Sequence, residues 1–368
     1  MGRPTIGLLG SFSSQVIQQI DSYRPDDTGW SGQTIAVELS LEPKLMGEKL
    51  PSISSINNYL SKRGKRRRHN IHSDLPTIPV VKAHYAHQVW QMDSEGSKPI
   101  KNINWTCFIN IKDVCKKTFV MSYPCCFKTA SNHPKTSDYQ RTLRLSFMEW
   151  SMPEHLQTDH ESIFFDNKTK SPFPTALHLW LKGLNIELHF TPFGKPQKQG
   201  MVERSHQTMH RQINTGRCFE SEKELFDFTQ QRRQRLNEHI PSGVTQNLPP
   251  LVAHPDARFS NRHYNLQEEK DLFDVILIYN YLSLGQWFRR IAPNKTFSLG
   301  GKLYHLPHAE SNSDVEIRFN RANLSFDCFD SDGKFIDYVV AKGLDFNELS
   351  GDLIDFIKWA DLQTLFKH

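Results

Sequence analysis

The feature that most constrains this chain is a change of hydrophobic pattern near His84. Three apolar segments follow one another there, "HQVWQMDSEG", "WTCFINIKD" and "KTFVMSYPC", and they predict three strands of an antiparallel meander. Segments with helical and with strand periodicity then alternate as far as the helix in "QGMVERSHQTMHRQI". The order βββ-α-β-α-β-α predicts an α/β fold in which helices flank a mixed sheet.

The segment before this sheet is predicted to be helical. "SSQVIQQIDSY" has helical spacing, a second helix follows the N-cap Ser31, and a third runs from the N-cap Ser52 to Gly64. Two short helices joined by a tight loop suit a helix-turn-helix, although an ordinary helical hairpin fits equally well. In a helix-turn-helix, the third helix would read DNA with four polar side chains, those of Ser54, Ser55, Asn57 and Asn58.

A basic run, "KRGKRRRHN", follows the third helix. Such a run is either a solvated linker or an arm that contacts phosphates, and here we favour phosphate contact by Arg66, Arg67 and Arg68. The net charge of +5 permits a polyanionic partner without requiring one.

The last hundred residues predict a helix, "EKDLFDVILIYNYL", followed by four short strands with hairpin turns at 300–301 and 332–333. We interpret the strands as a small β-barrel, and "DLIDFIKWADLQTLF" as a terminal helix. The predicted domain scheme begins with a helix-turn-helix domain and its basic arm (1–70), a linker (71–83) and a catalytic core (84–240). A second linker (241–268), a helix with the small barrel (269–345) and a C-terminal helix (346–368) follow.

Two features bear on the compartment. The longest apolar run, "FDVILIYNYLSL", is too short and too polar to span a bilayer, and no export signal is evident at the N-terminus. The spacing of the six cysteines fits neither a zinc knuckle nor a disulfide framework, which favours reduced thiols. We therefore expect a cytoplasmic protein, associated with the nucleoid if it binds DNA, and no membrane partner.

Three acids occupy the ends of predicted elements: Asp93 ends the first strand, Asp159 ends the fourth, and Glu203 lies at the start of the helix after the fifth. Individually they read as a turn former, a turn or cap residue and a helix-dipole cap. Together, at one edge of a mixed sheet, they would repel one another unless cations bound them. Carboxylate oxygens that fill only part of a coordination shell suit Mg²⁺ or Mn²⁺. Two such ions would bind the attacking and leaving oxygens of a phosphodiester.

The segments "QMDSEG", "LQTDHES" and "GKPQKQGMVERSHQ" resemble the DDE catalytic core of retroviral-type integrases and bacterial insertion-sequence transposases. The resemblance covers roughly residues 84–239. It implies an RNase H-like core, Asp93, Asp159 and Glu203 as the catalytic metal ligands, and a polynucleotidyl transferase that cuts and joins double-stranded DNA at element ends and targets. The partners implied are those DNAs and further copies of the chain, assembled on DNA.

The sequence departs from the family pattern in three respects. Asp159 and Glu203 are 44 residues apart, more than the roughly 35 that mark the motif, and "IFFDNKTKSPF" supplies the extra length. His160 and Glu161 stand where the family has Asn-Gly, which puts the local backbone geometry in question. A helix-turn-helix, rather than a zinc-binding His/Cys module, precedes the core.

Three basic residues near Glu203 are candidates for phosphate contact: Lys195, Lys198 and Arg204. Glu95, Glu161 and Asp166 rank lower as ligands because their positions do not match the motif. Two alternative functions remain open. One is a non-catalytic DNA-binding regulator derived from a transposase, and the other is an RNase H-like nuclease with other substrates.

Overall fold

The structure is a computed structural model, and it describes residues 9–25, 29–63, 65, 82–166, 169–191, 200–213, 217–351 and 353–362. Its largest sheet has six strands in the order β2-β3-β1-β5-β6, with β4 paired to β3. These strands are β1 (Val89–Ser94), β2 (Lys98–Ile100), β3 (Asn104–Asp113), β4 (Phe119–Phe127), β5 (His155–Thr158) and β6 (Glu187–Phe190). β3 and β4 are antiparallel, whereas β5 and β6 are parallel. The predicted α/β class, a mixed sheet with flanking helices, is confirmed.

The chain divides into two compact units. The first contains Met1–Ala86, Gln91–His133 and Gln197–Arg258, and the second contains His87–Trp90, Pro134–Pro196 and Phe259–His368. The helices of the first unit are α1 (Ser14–Tyr23), α2 (Gly32–Leu41), α3 (Ile53–Lys62), α6 (Gly200–Ile213), α7 (Glu222–Glu238) and α8 (Pro250–Ala253). Those of the second are α4 (Thr136–Trp150), α5 (Ala176–Gly183), α9 (Glu269–Leu272), α10 (Val275–Ser283), α11 (Phe346–Leu349) and α12 (Leu353–Leu362).

Helices α1 to α3 pack around an apolar core of their own, which includes Ile20, Ile35 and Ile56. The predicted N-caps Ser31 and Ser52 are confirmed, since each side chain accepts a hydrogen bond from the backbone N–H three residues on. The end predicted at Gly64 lies outside the described residues, and the structure ends α3 at Lys62.

The N-terminal helices also bond directly to α6 and α7. The indole Nε1 of Trp30 donates to the Gln212 carbonyl oxygen at 2.9 Å. The buried Arg232 guanidinium pairs with Glu38 on α2 at 2.7 Å and lies 4.0 Å from the centroid of the Trp30 ring. These contacts fix α2 to α7, and they fix the residue before the N-cap of α2 to α6, the helix that carries Glu203.

A second apolar core in the first unit joins the β3–β4 hairpin to α6 and α7. Phe108 and Phe119 come from the strands, Met209 from α6, and Leu225 and Leu236 from α7. Because helix α6 buries its apolar stripe here, the polar side chains on its other face are left near the surface.

In the second unit, a buried ion pair links α4 to α9. Arg144 bonds both carboxylate oxygens of Glu269, each at 2.7 Å. Trp180 and Tyr264 also donate to that carboxylate, so all its acceptor capacity is used within the core. Such a pair is stable only because its hydrogen bonds are complete.

The C-terminal strands form two sheets: one of four strands in the order β12-β11-β10-β7, and a hairpin of β8 and β9. They are β7 (Gln286–Arg290), β8 (Thr296–Leu299), β9 (Lys302–His305), β10 (Asp314–Asn320), β11 (Ser325–Phe329) and β12 (Phe335–Val340). Gly300 and Gly301 adopt positive φ in the β8–β9 turn, as the predicted hairpin requires. With the strands in two sheets, the closed barrel remains a prediction.

Candidate catalytic site

Glu203 lies in the first turn of α6, where its side chain is exposed. On the same helix, Val202, Met209 and Ile213 are buried, and they fix the rotation of the helix against the sheet. Glu203 is therefore presented at the margin of the packed face, next to His206 one turn on.

His206 connects α6 to two strands of the sheet. Its Nε2 lies 3.1 Å from Oδ2 of Asp93 on β1, and its Nδ1 lies 2.7 Å from Nδ2 of Asn110 on β3. Nε2 of His206 can carry a proton toward the Asp93 carboxylate, while the Asn110 amide bonds to the other ring nitrogen. The strand thus presents Asp93 in an orientation that a buried histidine fixes.

The carboxylates of Asp93 and Glu203 interact electrostatically. The pKa of Glu203 is raised, first because the protein partly shields its carboxylate from water, although the residue as a whole is exposed, and then by the negative charge of Asp93, whereas the charge of His206 opposes the rise. A carboxylate that served only to cap the helix dipole would have its charged form favoured and its pKa lowered. Glu203 instead lies in an environment that disfavours its negative charge, and a bound cation would relieve it.

Asp159, in the second unit, follows β5 directly. Its Oδ1 accepts a hydrogen bond from the Glu161 N–H at 2.9 Å, which closes a tight turn. His160 stacks on Phe190 with ring centroids 5.1 Å apart, and Glu161 accepts from the Tyr139 hydroxyl at 2.6 Å. Neither residue 160 nor residue 161, both described, has a positive φ. The turn therefore needs no glycine, and the departure from Asn-Gly is compatible with this backbone.

The three competing acids each have a structural partner. Glu95 pairs with Lys98 at 2.5 Å, Glu161 bonds to Tyr139, and Asp166 accepts from Thr169 Oγ1 at 2.7 Å. Each of these contacts helps to close a local turn or to join an element to its neighbour. They are accordingly weaker candidates for metal ligands than Asp93 and Glu203.

Within the described part of the chain, no group of three or more His, Cys, Asp or Glu side chains is gathered closely enough to hold a metal ion. Asp93 and Glu203 are nevertheless hard oxygen donors of like charge, a combination that suits Mg²⁺ or Mn²⁺.

In the part of the chain that the structure describes, no helix is both long and apolar enough to cross a membrane.

Of the ten residues predicted to contact DNA, five are described by the structure and five are not. Ser54, Asn57 and Asn58 are exposed on α3, whereas Ser55 is half-buried and its hydroxyl lies 2.9 Å from that of Ser52. Arg204 is exposed on α6. The other five lie outside the described residues: Arg66, Arg67, Arg68, Lys195 and Lys198.

Sequence reasoning missed His206 and its partner Asn110. The spacing of three residues between Glu203 and His206 on a helix was an available signal, since side chains at i and i+3 share a face. The pairing with Asp93 and Asn110 was not available, because it depends on how the helix docks on the sheet.

Comparison with known proteins gives one family match: the integrase core domain family matches residues 184–250. Among solved structures, the chain is similar to the HTLV-2 integrase catalytic core domain in complex with magnesium, at 14% identity over 47% of this chain and 99% of that chain, with a TM-score of 0.35. It is also similar to the BIV integrase catalytic core domain, at 15% identity over 46% of this chain and 95% of that chain, with a TM-score of 0.33.

A third similar structure is a simian T-cell lymphotropic virus intasome in complex with PP2A regulatory subunit B56 gamma. It is 13% identical over 85% of this chain and 100% of that chain, with a TM-score of 0.37. The family match spans β6, α6 and α7, and α6 carries Glu203. The match of residues 184–250 to the integrase core domain family agrees with the resemblance seen in the sequence.

Proposed function

We propose that this protein is a DDE transposase or integrase that cleaves DNA at the ends of a mobile element and joins those ends to target DNA. The observation that carries the proposal is the placement of Asp93 on β1, bound by His206 of α6, beside Glu203 in the first turn of the same helix. Burial and then the charge of Asp93 raise the pKa of Glu203, which agrees with this placement. Glu203 also lies inside the segment that matches the integrase core domain. A polynucleotidyl transferase needs carboxylates of this kind.

In this proposal, Asp93, Asp159 and Glu203 hold two Mg²⁺ or Mn²⁺ ions. Such a pair would supply Lewis acidity at the phosphodiester and a water of lowered pKa. His206 keeps Asp93 oriented through the 3.1 Å contact. Lys195, Lys198 and Arg204 contact the DNA backbone beside Glu203.

The rest of the chain would supply selectivity. Polar groups on α3 read the element ends, namely those of Ser54, Ser55, Asn57 and Asn58, and Arg66, Arg67 and Arg68 contact phosphates next to them. The partners are double-stranded element ends, target DNA and other copies of the chain assembled on DNA. The protein would act at the nucleoid of the cytoplasm.

The test is cleavage and strand transfer of a labelled element end in Mg²⁺ or Mn²⁺ by Asp93→Asn, Asp159→Asn and Glu203→Gln. Each change is nearly isosteric and removes one negative charge. Both reactions should fall by several orders of magnitude, while DNA binding persists. Pairs of changes should be scarcely worse than single ones, because the ligands act as a unit.

Glu95→Gln is the matched control, since Glu95 lies two residues from Asp93 and pairs with Lys98. It should retain activity. If Glu203→Gln cuts at nearly the wild-type rate, the proposed active site is wrong. A wild-type protein that binds ends without cutting them would favour the regulator, and cutting without joining would favour the nuclease.

A further inference from the structure

A cavity of about 290 Å³ lies in the first unit, lined by the start of α2, the β3–β4 hairpin, the C-terminal half of α6 and the segment after α7. Three cationic side chains line it, those of Lys112, Lys117 and Arg211, together with the polar groups of Gln33, Thr208 and Ser242. No Asp or Glu is among its lining residues, all of which the structure describes. The cavity therefore concentrates positive charge and has no acid in its own lining.

Lys112 is the most unusual of these cations. It is half-buried on β3, and its Nζ lies 4.1 Å from the centroid of the Phe119 ring. Burial, then the charges of Lys117 and Arg204, lower the pKa of Lys112 to about 8, and only Asp113 opposes them. Asp113 is itself occupied, because its Oδ2 accepts from the Lys116 backbone N–H at 2.5 Å.

The other two cations complete an anion-binding arrangement. The Nζ of Lys117 donates to the Val114 carbonyl oxygen at 2.5 Å, which fixes the ammonium group in the β3–β4 turn. Arg211 is exposed on α6, on the same face as Thr208 and Arg204 by the i, i+4, i+7 rule. An anion in the cavity would be attracted by all three charges and would remove the repulsion between them.

The cavity and the proposed catalytic carboxylates are separated along the axis of α6. Glu203 and Arg211 are separated by eight helical positions, or roughly 12 Å at about 1.5 Å per residue. A DNA strand advances about 3.4 Å per nucleotide along the duplex axis, so this distance corresponds to roughly three or four nucleotides.

We propose that this cavity, which we call the α2/α6 pocket, binds a phosphate group of DNA at a site separate from the proposed catalytic acids. The inference rests on the proposed function for the source of the phosphate. It assigns the N-terminal helices a second role, since the start of α2 forms one wall of the pocket. DNA bound there would contact the N-terminal helices and α6 together.

The first experiment measures acetylation of Lys112 in the full chain by mass spectrometry at pH 8, without divalent metal. The three conditions are no ligand, inorganic phosphate, and a DNA duplex. Protection of Lys112 by DNA, at least several-fold more than that of the exposed Lys101, supports the proposal. Protection by inorganic phosphate but not by DNA would mean that the pocket binds free phosphate and not a phosphate of DNA, which would overturn the proposal. Protection by neither would overturn the pocket.

The second experiment measures the salt dependence of duplex binding for Lys112→Met and Arg211→Gln, with Lys101→Met as the control. Each pocket variant should reduce the slope of log affinity against log salt by about 0.9, as expected for one lost phosphate contact, and the control should not. Unchanged slopes in both pocket variants would overturn the proposal even if acetylation were blocked, because DNA could cover Lys112 without contacting it.

Both measurements are made without metal and should give the same result in Glu203→Gln. A protein that never cleaves DNA, yet shows the protection and the slopes, would contradict the proposed function and leave the pocket intact. The converse result, normal cleavage with no protection and no change of slope, would reject the pocket alone.

Discussion

At the scale of single residues, His206 decides how the proposed catalytic acids are presented. One of its ring nitrogens contacts Asp93 on β1, and the other contacts Asn110 on β3. It donates to Asp93 rather than binding a ligand itself, so we regard it as a positioning residue. Partners of this kind commonly affect metal affinity 10- to 100-fold when they are changed.

We therefore expect His206→Leu to raise the Mg²⁺ concentration needed for half-maximal cleavage by about 10- to 100-fold, with DNA affinity unchanged. The buried Asn110 amide would lose its partner as well, at a cost of about 1–3 kcal/mol in stability. His206→Gln keeps a polar group at this position and should restore part of the metal affinity.

The control is His210→Gln, a half-buried histidine one turn further along α6. It should leave the Mg²⁺ requirement unchanged. If His206→Leu loses stability but cleaves at normal Mg²⁺ concentrations, His206 has only a structural role.

At the scale of elements, the sequence predicts most of the core because local patterns determine it. Alternation and apolar runs identified β1, β3 and β4, and the serine caps identified where α2 and α3 begin. The exposure of Ser54, Asn57 and Asn58 on α3 also follows from helical periodicity, whereas Ser55 is half-buried. The assignment of Asp93 and Glu203 to element ends agrees with their positions in β1 and α6.

Other elements could not be predicted because their causes are not local. β2 has only three residues, one of them a proline, and exists because it pairs with β3. β7, "QWFRR", is a strand because it pairs with β10. The single helix predicted for "EKDLFDVILIYNYL" is wrong: it is split into α9 and α10, because the Asp274 side chain accepts from the Ile276 N–H and starts a new helix.

The attachment of α2 to α7 is the contact between elements that is most open to test. Arg232 is only 1% exposed, and Glu38 is its carboxylate partner. Glu38→Gln would leave a buried guanidinium without its counter-charge, and breaking a buried pair in this way costs about 3–5 kcal/mol. We expect a loss of that size in urea unfolding followed by tryptophan fluorescence, since Trp30 packs against Arg232.

Lys223→Gln is the matched control on the same helix, because its pair with Asp227 is an exposed i, i+4 contact. Its cost should be at most about 0.5 kcal/mol. Equal effects of the two changes would mean that Arg232 does not depend on Glu38 for its charge balance.

At the scale of the whole molecule, the N-terminal helices are part of the same compact unit as the β3–β4 hairpin, α6 and α7. Removing residues 1–74 would eliminate both Trp30 and Glu38, which bond to α6 and α7. A truncated chain would then lose stability for reasons unrelated to DNA recognition. The proposed role of α3 is better tested by changing its exposed surface in the full chain.

Ser54 and Asn58 are the suitable positions, because they are exposed, four residues apart and on one face of α3. Asn57 is less suitable, since its side chain lies against Gly32, where an added Cβ would be 2.1 Å from Oδ1. We expect the double change Ser54→Ala, Asn58→Ala to weaken binding to element ends by about 1–3 kcal/mol for each lost base contact. Binding to random duplex, and its salt dependence, should stay the same, because these side chains carry no charge.

Ser40→Ala is the control on α2, since Ser40 is exposed and its hydroxyl bonds only to the Val37 carbonyl oxygen in this structure. Competition binding between an element end and a random duplex of equal length, at fixed salt, gives the ratio of affinities directly. The double variant should lower this ratio, and Ser40→Ala should not. If all three proteins discriminate equally, α3 does not read the DNA sequence, and its polar face is that of an ordinary helical hairpin.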